Sequence, residues 1–226
     1  MSESLLDISG MKRYYEMASG TVKALDGIDL SITKGECIIL LGPSGSGKTT
    51  LLNCVAALDS PTAGSYTFEG NSVPKDSSEE MTTFRRDNIG YVFQFFNLLQ
   101  DLTVLENLLL IQELSGGRDE KRARELLDLV GLEDEVDRFP TEISGGQQQR
   151  VAIARSLAKS PRLLLGDELT GNLDSKTSAM VMEVLVKACK AEGITTIFVT
   201  HDESLIQYAT RVIRLDSGKI ISDENA

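Results

Sequence analysis

The chain has 226 residues, 41% of them hydrophobic, enough for one substantial core in one large domain or a domain plus subdomain. Its 23 Lys and Arg stand against 34 Asp and Glu, a formal net charge of −11 that argues against a surface built to neutralise nucleic-acid phosphates, local basic pockets aside. The start, MSESLLDISG, lacks a basic region followed by an apolar run, and no segment approaches the roughly 18 apolar residues that span a bilayer, so a soluble chain is expected and any membrane role would go through a partner. Cys37, Cys54 and Cys189 are scattered, odd in number and without metal-ligand spacing, which reads as a reduced cytoplasmic chain with three packed thiols.

In chain order, KALDGIDLSI alternates like a half-exposed strand, and ECIILLG is a short apolar run of the kind that sits inside a parallel sheet. GKTTLLNCVAAL has helical spacing, and the polar GNSVPKDSSEE, with its Pro, predicts a surface loop leading into a short helix. Between Gln100 and Ser160 strand signals vanish and helical patterns such as DEKRARELLDLVGL dominate. RLLLGD then reads as a buried strand, SKTSAMVMEVLVKACKAEG as a helix, and TTIFVT and TRVIRLDSGKII as strands. The alternation predicts an α/β core from residues 1–99 and 161–226, interrupted by a helical subdomain at 100–160. No internal repeat is present.

LGPSGSGKTTLL fits the phosphate-loop spacing at Gly42, Gly47, Lys48 and Thr49, and it follows a strand and opens a helix, as that motif requires. Glycines let successive backbone N–H groups curl around a β-phosphate, and the helix aims its positive N-terminus at the same anion. The candidate ATP-binding set is Gly42, Pro43, Ser44, Gly45, Ser46, Gly47, Lys48, Thr49 and Thr50, with Lys48 on the β- and γ-phosphates and the Thr49 hydroxyl on Mg2+. Downstream, PRLLLGDELTGNLD sets Asp167 and Glu168 at a strand end, where adjacent side chains project differently. Asp167 is the candidate for Mg2+, directly or through water, and Glu168 for the general base that polarises the attacking water. An acidic strand end alone would be unremarked; its pairing with the phosphate loop carries the reading.

With the phosphate loop, ISGGQQQR, LLLGDE and VTHD in this order, the chain resembles the nucleotide-binding domain of ABC ATPases over essentially its whole length. The resemblance implies a RecA-like α/β core, an N-terminal antiparallel β subdomain and the inserted helical subdomain. It implies that Gln94 in YVFQ is the Q-loop glutamine, a ligand of Mg2+ and a sensor of the transport partner. Tyr15 in RYYEM is similar to the aromatic that stacks on adenine; Tyr14 competes, and counting back from ALDGIDL favours Tyr15. Two chains are expected to sandwich two ATP molecules head to tail, with Ser144, Gly145, Gly146 and Gln147 of one facing the γ-phosphate held by the other. A Ser-Gly-Gly turn opening a helix offers an anion backbone donors, a hydroxyl and a helix N-terminus. GNLDS, Gly171 to Ser175, resembles the D-loop, with Asp174 reaching across the interface, and His201, the only histidine, is expected to contact the γ-phosphate and organise the water.

A second segment, ELSGGRDEKR, resembles the signature in letters, but Arg118 replaces the glutamine and a charged, Asp-capped amphipathic helix follows. In EISGGQQQR the helix instead has Val151, Ile153, Ala154 and Leu157 on a buried side and stops at Pro161, one turn before the carboxylate strand. Gly116 and Gly117 therefore read as a connector between insertion helices. Family members commonly carry D-E-P-T after the apolar strand, whereas this chain has Leu169 in place of the proline, which frees φ and restores a backbone N–H. Hydrolysis is still expected, at an altered rate, because both carboxylates remain. Gly166 and Ile143 are conservative departures.

Within the family the likeness is greatest to the macrolide-export and lipoprotein-release branch, through LDSPTAGSYTFEG, RRDNIGYVFQFFNLLQDLTVLEN and DELTGNLD. That branch implies a separate ATPase subunit, cytoplasmic and peripheral on the cytoplasmic face of the membrane, whose homodimer docks on integral permease subunits to export or extract a lipoprotein, peptide or antibiotic-like molecule. The apolar, aromatic-rich Phe93 to Thr103 is the candidate docking surface, or else packing between the insertion and the core. The alternative is an ATP-driven regulator that transports nothing, as in cell-division relatives. A DNA-repair ATPase of related fold would need a long coiled coil between Gln94 and Ser144, for which the chain leaves no room; no nucleic-acid partner is expected.

Overall fold

The alternating N-terminal pattern forms two 14-residue strands, β1 (Ser4–Met17) and β2 (Gly20–Thr33), paired antiparallel from Ser4↔Thr33 to Met17↔Gly20. The computed structural model describes residues 3–18, 20–75, 77–171 and 173–226. Met1 and Ser2 of the N-terminal stretch, Asp76 of the expected polar loop and Asn172 of the expected D-loop lie outside the described residues, as does Ser19. Leu6, Met11, Leu25, Ile28 and Ile32 of the β1–β2 pair are fully buried while Asp7, Asp29 and Ser31 between them are exposed, as in a half-buried sheet. The apolar run after β2 forms β3 (Cys37–Leu41), the glycine-rich turn leads into α1 (Lys48–Val55), and β4 (Ala63–Phe68) returns to pair antiparallel with β1 and with the short β5 (Asn71–Ser72). The polar stretch ends in α2 (Ser78–Asn88).

Two compact units result, Met1–Arg85 with Thr195–Ala226, and Arg86–Ile194. In the second, β6 (Ile89–Val92) pairs in parallel with β7 (Leu163–Asp167), in register from Ile89↔Leu163 to Val92↔Gly166. Between them run α3 (Val104–Leu114), α4 (Glu120–Leu129) and α5 (Gly145–Leu157), and after β7 comes α6 (Ser175–Ala191). No strand lies between residues 100 and 160. Each helix starts on a side-chain cap: Thr103 with Glu106 for α3, Asp119 for α4, Ser144 with Gln147 for α5 and Asp174 for α6.

In the first unit β8 (Thr195–Val199), β9 (Arg211–Asp216) and β10 (Lys219–Asn225) complete a sheet in the order β10-β9-β3-β8. Both β8 and β9 run parallel to β3, and β10 closes on β9 as a hairpin. β8 is buried at every position, which is why TTIFV is a continuous apolar and Thr run with no alternation. Among the described residues no helix is long and apolar enough to cross a membrane.

Candidate functional site

The phosphate loop begins where β3 ends. Gly42 (φ +155) and Gly47 (φ +105) are required twice over, by backbone angle and by space: a Cβ on Gly42 would lie 2.1 Å from the Leu215 carbonyl oxygen, and one on Gly47 would lie 2.3 Å from that of Ala24. Gly45, also left-handed, faces open space. Pro43, Ser44, Gly45 and Thr49 are exposed and Thr50 is half-buried. Buried Lys48 donates from Nζ to the carbonyls of Gly42 at 2.7 Å and Pro43 at 2.8 Å, so the ammonium is held against the rim of its own loop. Helix α1 has Gly47 at its N-cap and no side-chain cap, and the buried Ser46 hydroxyl has no hydrogen-bond partner in the chain. Uncapped helix N–H groups beside an unpaired hydroxyl and a buried lysine form a cradle that fits a phosphate.

Tyr14 and Tyr15 are both half-buried on β1. The Tyr14 hydroxyl donates to Asp26, with Lys23 Nζ 5.4 Å from its ring centre, and the Tyr15 hydroxyl donates to Asp59 at 2.7 Å. His201 is exposed just beyond β8. Its neighbour Asp202 accepts from the Ser204 N–H at 2.9 Å, and this hydrogen-bonding to Ser204 lowers its carboxyl pKa, with His201 adding to the effect.

In the second unit Asp167 closes β7 and Glu168 follows with φ +50, a left-handed conformation uncommon for a non-glycine residue. Buried Leu169 comes next, and the Gly171 N–H returns to the Glu168 carbonyl at 3.1 Å, closing a tight turn. A Cβ on Gly171 would sit 3.5 Å from both Gln94 Nε2 and Glu168 Oε2, so both half-buried side chains approach this glycine. Tyr91 stacks on Phe93 with ring centres 4.3 Å apart; burial pushes its phenol pKa up, helped by the charge of Asp167. Arg155 of α5 donates to the Asn97 carbonyl at 2.6 Å and that of Phe96 at 3.0 Å, fixing the segment after Gln94. Phe93, Phe95 and Leu99 of that segment are 39%, 68% and 47% exposed.

The segment expected to be the signature opens α5. The Ser144 hydroxyl accepts from the Gln147 N–H at 3.3 Å, while Gln147 Oε1 accepts from the Ser144 N–H at 2.8 Å and its Nε2 donates to Glu135 at 3.0 Å. Ser144 and Gly145 are exposed, and a Cβ on Gly146 would meet Thr177 Cγ2 at 2.6 Å, so Thr177 would have to shift to admit one. Val151, Ile153, Ala154 and Leu157 are buried as their spacing predicts. Gln149 is fully buried with neither amide atom partnered. Asp174 caps α6, accepting from the N–H groups of Lys176 and Thr177 at 3.1 Å and from the Thr177 hydroxyl at 2.6 Å; that hydroxyl is the main reason its pKa is lowered. The look-alike segment ends α3 instead: Ser115, Gly116 and Gly117 donate back to Gln112 and Glu113, and Gln112 Oε1 takes the Asp119 N–H at 2.9 Å.

Sequence reasoning passed over Arg13, Asp59, Gln149 and Arg155, and took Gly171 only as the start of the D-loop segment. Only Arg155 left a sign in the sequence, a cation inside the apolar stripe of α5. Among the described residues no group of three or more His, Cys, Asp or Glu could hold a metal by itself. In the second unit Asp167 and Gln94 offer a carboxylate and an amide, oxygen donors of the kind that suit Mg2+, which keeps waters and is bound largely through substrate phosphates.

A family model described as "ABC transporter" matches residues 25–171. The lipoprotein-releasing system ATP-binding protein LolD of Geobacter metallireducens is 44% identical over 97% of this chain and 99% of that protein. The macrolide export ATP-binding/permease protein MacB of Bdellovibrio bacteriovorus is 44% identical over 97% of this chain but only 34% of that longer protein. Among solved structures, the dimeric bacterial cassette MJ0796 is 39% identical with a TM-score of 0.88, covering 98% of both chains, and its dimeric post-hydrolysis state with ADP and Pi has the same TM-score at 38% identity. Sequence, fold and phosphate cradle agree: the chain belongs to the ABC transporter family, in the branch of the lipoprotein-releasing and macrolide-export ATP-binding proteins, and is an ATP-hydrolysing cassette.

Proposed function

We propose that this cassette pairs with a second copy around two ATP molecules and drives an integral membrane permease that exports or extracts a lipoprotein, peptide or antibiotic-like molecule. The observation that carries the reading is the split character of the site. Lys48 and the uncapped α1 present donors for phosphate, while the exposed Ser144–Gly145 turn at the start of α5 presents a second anion-binding end. In this reading Gly42 to Gly47 supply backbone donors, Thr49 and Thr50 supply hydroxyls, and Tyr15 stacks on adenine. Asp167, Gln94 and Thr49 would hold Mg2+, which when bound would neutralise charge on the triphosphate. Glu168 takes a proton from the attacking water, His201 orients that water from the γ-phosphate side, and Asp174 meets the facing chain. The exposed Phe93, Phe95 and Leu99, braced by Arg155, form the face on which the permease docks at the cytoplasmic side of the membrane.

The shared site is tested by mixing Lys48→Ala chains with Ser144→Arg chains, each inactive alone. The mixed dimer has one site with an intact phosphate loop and an intact facing signature. It is expected to occlude about one ATP per dimer and recover a fraction of turnover; no occlusion in the mixture refutes the shared site. Co-purification with a permease and release of a cargo supports transport, whereas a partner without cargo supports the regulatory alternative.

A further inference from the structure

The Asp59 carboxylate, beyond the end of α1, is committed on both oxygens. Oδ2 accepts from Arg13 Nε at 2.8 Å and from the Tyr15 hydroxyl at 2.7 Å. Oδ1 accepts from Arg13 at 2.7 Å and from the Ser60 N–H at 2.8 Å. The Arg13 guanidinium lies 4.5 Å from the centre of the Tyr15 ring. One face of that ring is therefore taken by a cation, and a single face is left for a flat partner. The Asp59 N–H in turn donates to the Asn53 carbonyl of α1 at 3.1 Å, which ties the ring to the helix that carries the phosphate loop.

We propose that Asp59 is a positioning residue for the nucleotide base: with Arg13 it holds Tyr15 in one orientation, the guanidinium on one ring face and the purine on the other. The proposal rests on the reading of Tyr15 as the adenine-stacking residue. A tyrosine on an exposed strand would give up side-chain freedom each time it stacked. Here the forked Arg13–Asp59 pair and the phenol bond remove that freedom before the nucleotide arrives. Burial, and next the bond to Asp59, raise the Tyr15 pKa, so the phenol remains the donor. The ring lies at a fixed distance from the phosphate cradle, and base and triphosphate are read together.

The test compares binding of magnesium-ATP with binding of magnesium-tripolyphosphate, which has the charge but no base, by titration calorimetry. Asp59→Ala and Tyr15→Ala are each expected to weaken ATP binding about tenfold and to leave tripolyphosphate within about twofold. The double variant should lose no more than either single one, because both act through the same ring. Asp59→Asn, which keeps an acceptor for the phenol, should fall between Ala and wild type and serves if the Ala variant fails to fold. If Tyr15→Ala weakens ATP and Asp59→Ala does not, the positioning role is wrong while base stacking stands. If neither matters, the base-stacking reading itself falls. Equal weakening of ATP and tripolyphosphate by Asp59→Ala overturns the proposal in favour of a general structural role.

Discussion

Cys54 on α1 illustrates how much of the site region is set by burial. The thiol is fully buried and its pKa is pushed from 9.0 up to about 12, by burial first and by the charge of Asp59 second. The folded chain thus keeps a proton that the unfolded chain releases, so this group makes stability fall as pH rises between 9.0 and about 12 and contributes no slope below 9.0. Cys54→Ala should lose less melting temperature than wild type between about pH 8 and about pH 10.5, as followed by circular dichroism; identical losses would contradict the shift. The residue scale is also where sequence and structure part most. Lys48, Glu168 and Ser144 stand in contiguous motifs and could be named from the sequence. Asp59 joins Arg13 and Tyr15 across more than forty positions, as their separations of 46 and 44 record, and no local pattern encodes that meeting. Likewise Gly171 gives no hint in GNLDS that Gln94 and Glu168 converge on it.

At the scale of elements, α5 and α3 give the two Ser-Gly-Gly segments different settings. Ser144 stands before a helix and caps it, whereas Ser115 stands after one and donates to the Gln112 carbonyl at 3.0 Å. Removing the Ser144 cap costs about 1 kcal/mol of helix stability, and an arginine there also obstructs the anion-binding turn. Ser144→Arg is therefore expected to lower ATP turnover at least about a hundredfold, while Ser115→Arg leaves it within about twofold. A phosphate-release assay decides, and the reverse ranking would reassign the signature. Helix order was legible because caps and apolar periodicity coincide: the patterns over GKTTLLNCVAAL, DEKRARELLDLVGL and SKTSAMVMEVLVKACKAEG became α1, α4 and α6. Their ends were less so, since α1 stops at Val55 although its apolar spacing runs on; Ala57 (φ +51) turns the chain there, and nothing in that residue type announces it.

For the whole molecule the proposed shared site predicts an association that follows the nucleotide. Glu168→Gln keeps shape and hydrogen-bonding capacity but removes the basic carboxylate, so ATP should bind and persist. With magnesium-ATP this variant is expected to sediment at twice the mass of the nucleotide-free chain, with turnover reduced about a hundredfold or more. A monomer of wild-type turnover would remove Glu168 from the role of base. That same residue sits at φ +50, where a side chain beyond glycine costs on the order of 1 kcal/mol. Selection of variants for heat resistance alone would therefore favour glycine or asparagine at this position and discard the carboxylate. With Glu168 as the proposed base, such a variant would gain durability and lose turnover, so a thermostability programme applied to this cassette should hold Glu168 fixed and look elsewhere for its gains.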